Sequence, residues 1–251
     1  MSQIWQDAAK ETAARSTVFS DKKSKTAPGR IISTGSDGLD KMLGGGILPG
    51  SSVFICGAPG SGKTVLAQQM AYKVAAAGGD VLYLYVSGFS ESSVNRVRAL
   101  QSFAFFDPSA YNIQVSYQDL EPAIRSQQMQ DVAMYLTGLL TRTNPKMIIV
   151  DSMKAVLDRI EHAAAAHSAM LAITDYASKH NKVSLLVGEY EVDDIARHKV
   201  FSIVDGVILL TAHYQSPDGK RYARIAKMRG CEHSSEPEEF QISISGLQVG
   251  G

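Results

Sequence analysis

The chain is poor in cysteine: only Cys56 and Cys231 occur in 251 residues, far apart and without C-x-x-C spacing. This excludes a disulfide framework and a cysteine-based zinc site, and points to packed thiols in a reducing cytoplasm. Net charge is also absent, because 25 basic residues balance 25 acidic ones. No global field therefore draws the protein to nucleic acid or to an anionic membrane. No apolar run reaches the roughly 18 residues of a membrane helix, and the N-terminus lacks the apolar core of a secretion signal. The expectation is a soluble, cytoplasmic protein without membrane insertion. The six histidines show no metal spacing. His162 and His167 stand at i and i+5 of a predicted helix, off a common face. No internal repeat is present, so the chain reads as one unit.

Hydrophobic residues make up 45% of the sequence, enough at this length to bury a full core. Residues 1–29 read as a tail and linker, ending in the polar run Ser20–Thr26 before Ala27-Pro28-Gly29. Within the tail, Ile4, Trp5, Ala8, Ala9 and Ala13 recur at helical spacing. Two readings stand: a disordered tail, or a short amphipathic arm that docks on a neighbouring subunit or another protein. Residues 30–251 then form the domain.

The most informative stretch is Gly57-Ala58-Pro59-Gly60-Ser61-Gly62-Lys63-Thr64, a complete G-x-x-x-x-G-K-T phosphate loop directly after the apolar run Ser52–Cys56. A glycine-rich turn between strand and helix aims several backbone N–H groups at one point, where the helix N-terminus adds partial positive charge. Gly57, Gly60 and Gly62 admit close backbone approach. Lys63 reaches the β- and γ-phosphates, and the Thr64 hydroxyl ligates Mg²⁺. Val65–Tyr72 supplies the helix. The motif predicts a bound nucleoside triphosphate.

Elsewhere the pattern alternates strand and helix. Ile31–Gly46 predicts a short strand and a capped helical turn stopped by glycines. Val81–Val86 predicts a buried parallel strand, and Glu91–Gln101 a helix with Val94, Val97 and Leu100 on one face and Arg96 and Arg98 on others. Asp119–Arg142 reads as one long helix, Lys146–Ser152 as a strand, Glu161–His180 as a helix and Lys182–Glu189 as a strand. Asp151 ends its strand beside the phosphate loop, where it can hold Mg²⁺ through water. The competing reading is an aspartate capping the next helix. Gly206–Thr211 and Tyr222–Met228, joined through Pro217-Asp218-Gly219, read as a hairpin, and Phe240–Ile244 as an edge strand. Phe105, Phe106 and Tyr111 read as core or interface aromatics before a base-stacking platform.

Four stretches together resemble the KaiC-like branch of the RecA superfamily of ATPases, over most of residues 31–249. They are Ile32–Gly46, the phosphate loop, Ile149-Val150-Asp151-Ser152, and Val204-Asp205-Gly206-Val207-Ile208 leading to Lys227-Met228-Arg229-Gly230. The resemblance implies an α/β, RecA-like three-layer sandwich with a mostly parallel central sheet, a C-terminal β-hairpin and edge strands. It also implies a homo-oligomeric ring, commonly hexameric, with ATP at subunit interfaces. Lys227 and Arg229 would then reach the γ-phosphate held by the adjacent subunit, where cations stabilise the charge that hydrolysis spreads over the phosphoryl oxygens. The alternative is a solvated basic hairpin.

The family normally carries paired glutamates after its second core strand. Here Ser87-Gly88-Phe89-Ser90-Glu91-Ser92 stands instead. Glu91 is either the remaining base that activates water or an acid favoured in a first helical turn by the dipole. Glu189, at a strand end, is a second candidate for contact with the γ-phosphate, on position alone. Clock members phosphorylate adjacent hydroxyls at the place of Phe201-Ser202; one hydroxyl is present, so kinase activity is not inferred. The leading function is a slowly hydrolysing ring ATPase, a regulator or assembly factor acting through nucleotide-dependent assembly and a protein partner. The alternatives are a recombination-type DNA-binding ATPase, for which Lys220, Arg221 and Arg224 offer a small basic lining, and an ATP-bound scaffold without turnover.

Overall fold

The computed structural model describes residues 31–86, 93–125, 131–160, 163–212 and 219–250. The tail helix, Phe89-Ser90, Glu91, His162 and Pro217-Asp218 lie outside these residues. Among the described residues one nine-stranded sheet runs in the order β3-β2-β4-β5-β1-β6-β7-β8-β9. Its strands are β1 Ser52–Cys56, β2 Val81–Tyr85, β3 Val115–Asp119, β4 Met147–Asp151, β5 Val183–Gly188, β6 Gly206–Ala212, β7 Arg221–Met228, β8 Glu238–Ser243 and β9 Gly246–Val249. The first six pair in parallel and the last three add antiparallel. The helices are α1 Asp37–Met42, α2 Lys63–Ala76, α3 Ser93–Leu100, α4 Glu121–Arg125, α5 Asp131–Thr143, α6 Met153–Arg159, α7 Ala163–Lys179, α8 Val192–Arg197 and α9 Val200–Ile203.

Both faces of the central strands are buried, which is why their sequences are continuous apolar runs. Successive side chains point to opposite faces and so build two cores. Val53, Ile55, Ile149 and Leu185 pack with α1 and α2. Phe54, Cys56, Val150 and Leu186 pack with α5, α6 and α7 on the other side. The result is the three-layer α/β sandwich the sequence predicts, with its antiparallel strands at the C-terminal end.

Several local expectations are corrected. Asp119–Arg142 is not helical throughout: Asp119 closes β3, and the described helical parts are α4 and α5, with residues 126–130 outside the described residues. Among the described residues strand β3 has one neighbour, and it buries fully only Val115, so it carries no apolar run to announce it. Ile32 makes an isolated bridge to Ile47 and no longer strand. Strand β8 is not the edge, because β9 pairs beyond it. Arg96, read on a different face from Val97 and Leu100, is 8% exposed.

The Ile32–Gly46 stretch owes its composition to a polar lock. Asp40 accepts from the Thr34 N–H and hydroxyl through Oδ1, both at 2.7 Å, and from the Ser33 hydroxyl through Oδ2 at 2.6 Å. Ser36 caps α1, accepting from the Leu39 N–H and from the Val249 N–H of β9. Asp40→Ala would leave the buried Thr34 donors without this charged acceptor. The expected loss is about 2–4 kcal/mol of unfolding free energy, since bonds to charged groups are worth more than neutral ones. Denaturant titration measures it; a loss under about 0.5 kcal/mol, the range of ordinary surface substitutions, would show that water replaces the lock.

Candidate functional site

Strand β1 delivers the chain into the phosphate loop at the C-terminal edge of the parallel strands, and α2 leaves it at Lys63. Two glycines have direct steric reasons. A Cβ on Gly57 would lie 2.1 Å from the Leu210 carbonyl oxygen, and one on Gly62, whose φ is +100°, would lie 2.7 Å from Ile242 Cδ1 of β8. The left-handed Gly62 caps α2 without a side-chain bond, so the first N–H groups of that helix have no side-chain cap of its own. Ala58 is half-buried while Pro59 and Gly60 form the exposed crest. Ser61 is buried, and its hydroxyl has no hydrogen-bond partner among the described residues.

Lys63 is 7% exposed and folds back over the loop, donating from Nζ to the Gly57 carbonyl at 2.9 Å and the Ala58 carbonyl at 2.8 Å. Burial lowers its pKa from the usual lysine range, while the Glu189 and Asp151 carboxylates act in the opposite direction. Thr64 is exposed into a cavity of about 500 Å³ that Val65, Asp151 and Glu189 also line. The sheet order explains the meeting: β5 lies between β1 and β4, so Glu189 follows the strand that separates the phosphate loop from Asp151. Helix α6 is capped by Ser152, whose Oγ accepts from the Ala155 N–H at 3.0 Å. The capping role considered for Asp151 is therefore filled by its neighbour.

Further residues of the cavity escaped the sequence reading. Tyr83 of β2 donates its hydroxyl to Asp151 Oδ2 at 2.7 Å. The Arg96 guanidinium stacks 3.6 Å from the centroid of the Tyr85 ring, a cation–π contact within a desolvated wall. Lys154 comes in from α6. The available signal was the pair of tyrosines in the run Val81–Val86, where aliphatic residues would satisfy packing alone.

Lys227 and Arg229 are brought together, but away from the loop. Lys227 pairs with Val207 near the start of β6, whereas the phosphate loop leaves the opposite end of the neighbouring β1. Lys227 Nζ donates to the Phe201 carbonyl at 2.9 Å and the Val204 carbonyl at 2.5 Å. Arg229 donates to the Ser202 carbonyl at 3.3 Å and lies 3.8 Å from Asp205. A register shift between Val207 and Ile208 leaves Ala226 as the extra residue of β7. Strict alternation after Ala223 and Ile225 would turn Lys227 into the core; the bulge sends Met228 there instead.

The remaining candidates have structural partners. Ser202 donates to the Lys199 carbonyl at 2.7 Å. Lys220 pairs with Glu239 at 2.9 Å, and Arg224 donates to the Ser235 carbonyl, which reduces the small basic lining. Phe105, Phe106 and Tyr111 pack against the core. Burial pushes the Cys56 thiol pKa up, and neither cysteine is in a disulfide. Among the described residues no cluster of histidine, cysteine and acidic side chains has metal-binding form, and no helix is long and apolar enough to cross a membrane.

The family model of the KaiC ATPase matches residues 32–251, nearly the whole domain. The chain belongs to the KaiC ATPase family. A protein described as UPF0273 from Thermotoga maritima is 25% identical over 87% of this chain and 95% of its own length. The circadian clock protein KaiC3 of Synechocystis is 22% identical over 87% of this chain but only 43% of its own. The DNA repair protein RadA of Mycobacterium tuberculosis is 31% identical over 81% and 39% respectively. The crystal structure of a KaiC-like protein from Pyrococcus horikoshii superimposes with a TM-score of 0.73 at 25% identity, covering 88% of this chain and 99% of that one. The RecA-like fold and KaiC membership thus agree with the four stretches of sequence that carry the resemblance.

Proposed function

We propose that this KaiC-family chain is a cytoplasmic ATPase of slow turnover that forms a ring, commonly of six copies, and acts as a regulator or assembly factor through nucleotide-dependent assembly and a protein partner. The observation that carries this reading is the division of charge. Thr64, Asp151 and Glu189 line one cavity, and the Lys63 ammonium feels the charge of both carboxylates, whereas Lys227 and Arg229 lie at the opposite end of the parallel strands from their own phosphate loop.

The loop fits a phosphate chain. Its glycines leave room that a Cβ would fill, and the buried Ser61 hydroxyl and Lys63 ammonium stand ready as donors. The donor set likewise fits Mg²⁺: Thr64 would ligate through its hydroxyl, and Asp151 through water. The ion would supply charge neutralisation at the β- and γ-phosphate oxygens. Lys63 would exchange its two loop carbonyls for phosphate oxygens, and Glu189 would face the terminal phosphate. Glu91 remains the proposed base, and its departure from the family's glutamate pair supports slow turnover. Lys227 and Arg229 would act on the γ-phosphate of the adjacent subunit. The likeness to RadA favours a DNA-binding reading, but neutral net charge and the Lys220–Glu239 pair weigh against it.

Native mass measurement with ATP, with ADP and without nucleotide tests the reading. The expected result is a ring in ATP that is smaller or dissociated without nucleotide. One mass under all three conditions would overturn nucleotide-controlled assembly.

A further inference from the structure

Tyr83 sits mid-strand in β2, 2% exposed, between the core and the cavity. A phenylalanine would fill that space equally well, so the hydroxyl needs its own explanation. It has one in the 2.7 Å bond to Asp151 Oδ2. The neighbouring ring of Tyr117, 5.0 Å away between centroids, sends its hydroxyl elsewhere. It donates to Gln68 Oε1 of α2 at 2.6 Å. The two tyrosines thus divide their work, one facing the phosphate-loop helix and one facing the carboxylate.

We propose that Tyr83 is a positioning residue for the divalent cation: its hydroxyl holds the Asp151 carboxylate in the cavity wall shared with Thr64, and thereby strengthens cation binding beside the phosphates. The inference rests on reading the loop as a nucleotide–Mg²⁺ site. Partners that orient a metal-holding carboxylate restrict its torsion, so less freedom is lost when it faces the ion. Tyr83 touches neither nucleotide nor metal, so it acts only through Asp151.

The test is Mn²⁺ titration of the full chain with saturating ADP, read by electron paramagnetic resonance, for wild type, Tyr83→Phe, Tyr117→Phe and Asp151→Asn. Tyr83→Phe is expected to raise the Mn²⁺ dissociation constant by about three- to tenfold, less than the roughly 10–100-fold typical for partners of direct metal ligands, because Asp151 holds the ion through water. ADP affinity in EDTA should stay unchanged, and Tyr117→Phe should bind Mn²⁺ as wild type does. A rise below about threefold in a Tyr83→Phe chain that still binds ADP overturns the proposal. So does an equal loss in Tyr117→Phe, or a parallel loss of metal-free ADP binding, since either means general loosening of the core. If wild type shows no ADP-dependent Mn²⁺ binding, or Asp151→Asn matches it, the reading of the site itself fails and this proposal falls with it.

Discussion

Lys63→Ala is expected to weaken ATP binding by at least about a hundredfold in a chain that still folds, because each charge-assisted bond to a phosphate oxygen is worth roughly 1.5–3 kcal/mol and two are lost. The ammonium donates to the Gly57 and Ala58 carbonyls, and its burial lowers its pKa. A cation held in a partly desolvated loop beside two carboxylates is poised to move to a stronger anionic partner. Alanine removes that charge while the glycine conformations and the packing of α2 against β9 remain. The folded state should therefore survive, as far-ultraviolet circular dichroism would show. Calorimetric titration with ATP measures the loss. An affinity within about threefold of wild type, in a folded mutant, would mean that the backbone N–H groups alone hold the phosphates.

The second large effect concerns Lys227 and Arg229. Turnover of the double variant Lys227→Ala/Arg229→Ala is expected to fall by about 10²-fold or more, as for other cations that stabilise phosphoryl-transfer charge. This loss alone is ambiguous, because both side chains also clamp the carbonyls of Phe201, Ser202 and Val204. Mixing resolves it. A Lys63→Ala chain retains the cations, and the double variant retains the phosphate loop, so a ring containing both has interfaces with one intact half from each. Partial recovery of phosphate release is the expected result. Activity never exceeding the sum of the separate variants, in rings shown by mass to contain both chains, would mean that the two cations serve their own subunit's fold.

The fold class was legible because its causes are local. Continuous apolar runs such as Ile148–Val150 and Leu185–Val187 arise from burial on both faces, and the glycine spacing of the phosphate loop answers clashes that any Cβ would meet. Strand β3 was not legible. It pairs on one side only, and its residues run into helical sequence without a break. The burial of Arg96 was not legible either, because helical periodicity cannot foresee that tyrosine rings from two strands will cover a guanidinium.

For the candidate site the division is similar. The loop motif and the strand-ending Asp151 were readable as residue types at fixed spacing. Their convergence on one cavity depends on the strand order, which places β5 between β1 and β4 and so sets Glu189 between them. The Tyr83–Asp151 bond joins residues 68 apart in sequence, and neither flank announces it. The outward turn of Lys227 depends on one extra residue in β7, which alternation counted along a single strand cannot register. Sequence by itself determined what each segment could form and which chemistry it could carry, because those depend on neighbours along the chain. Which groups meet, and which cation is kept from its own loop, was decided only by pairing across the sheet, where register and strand order act between segments that share no local signal.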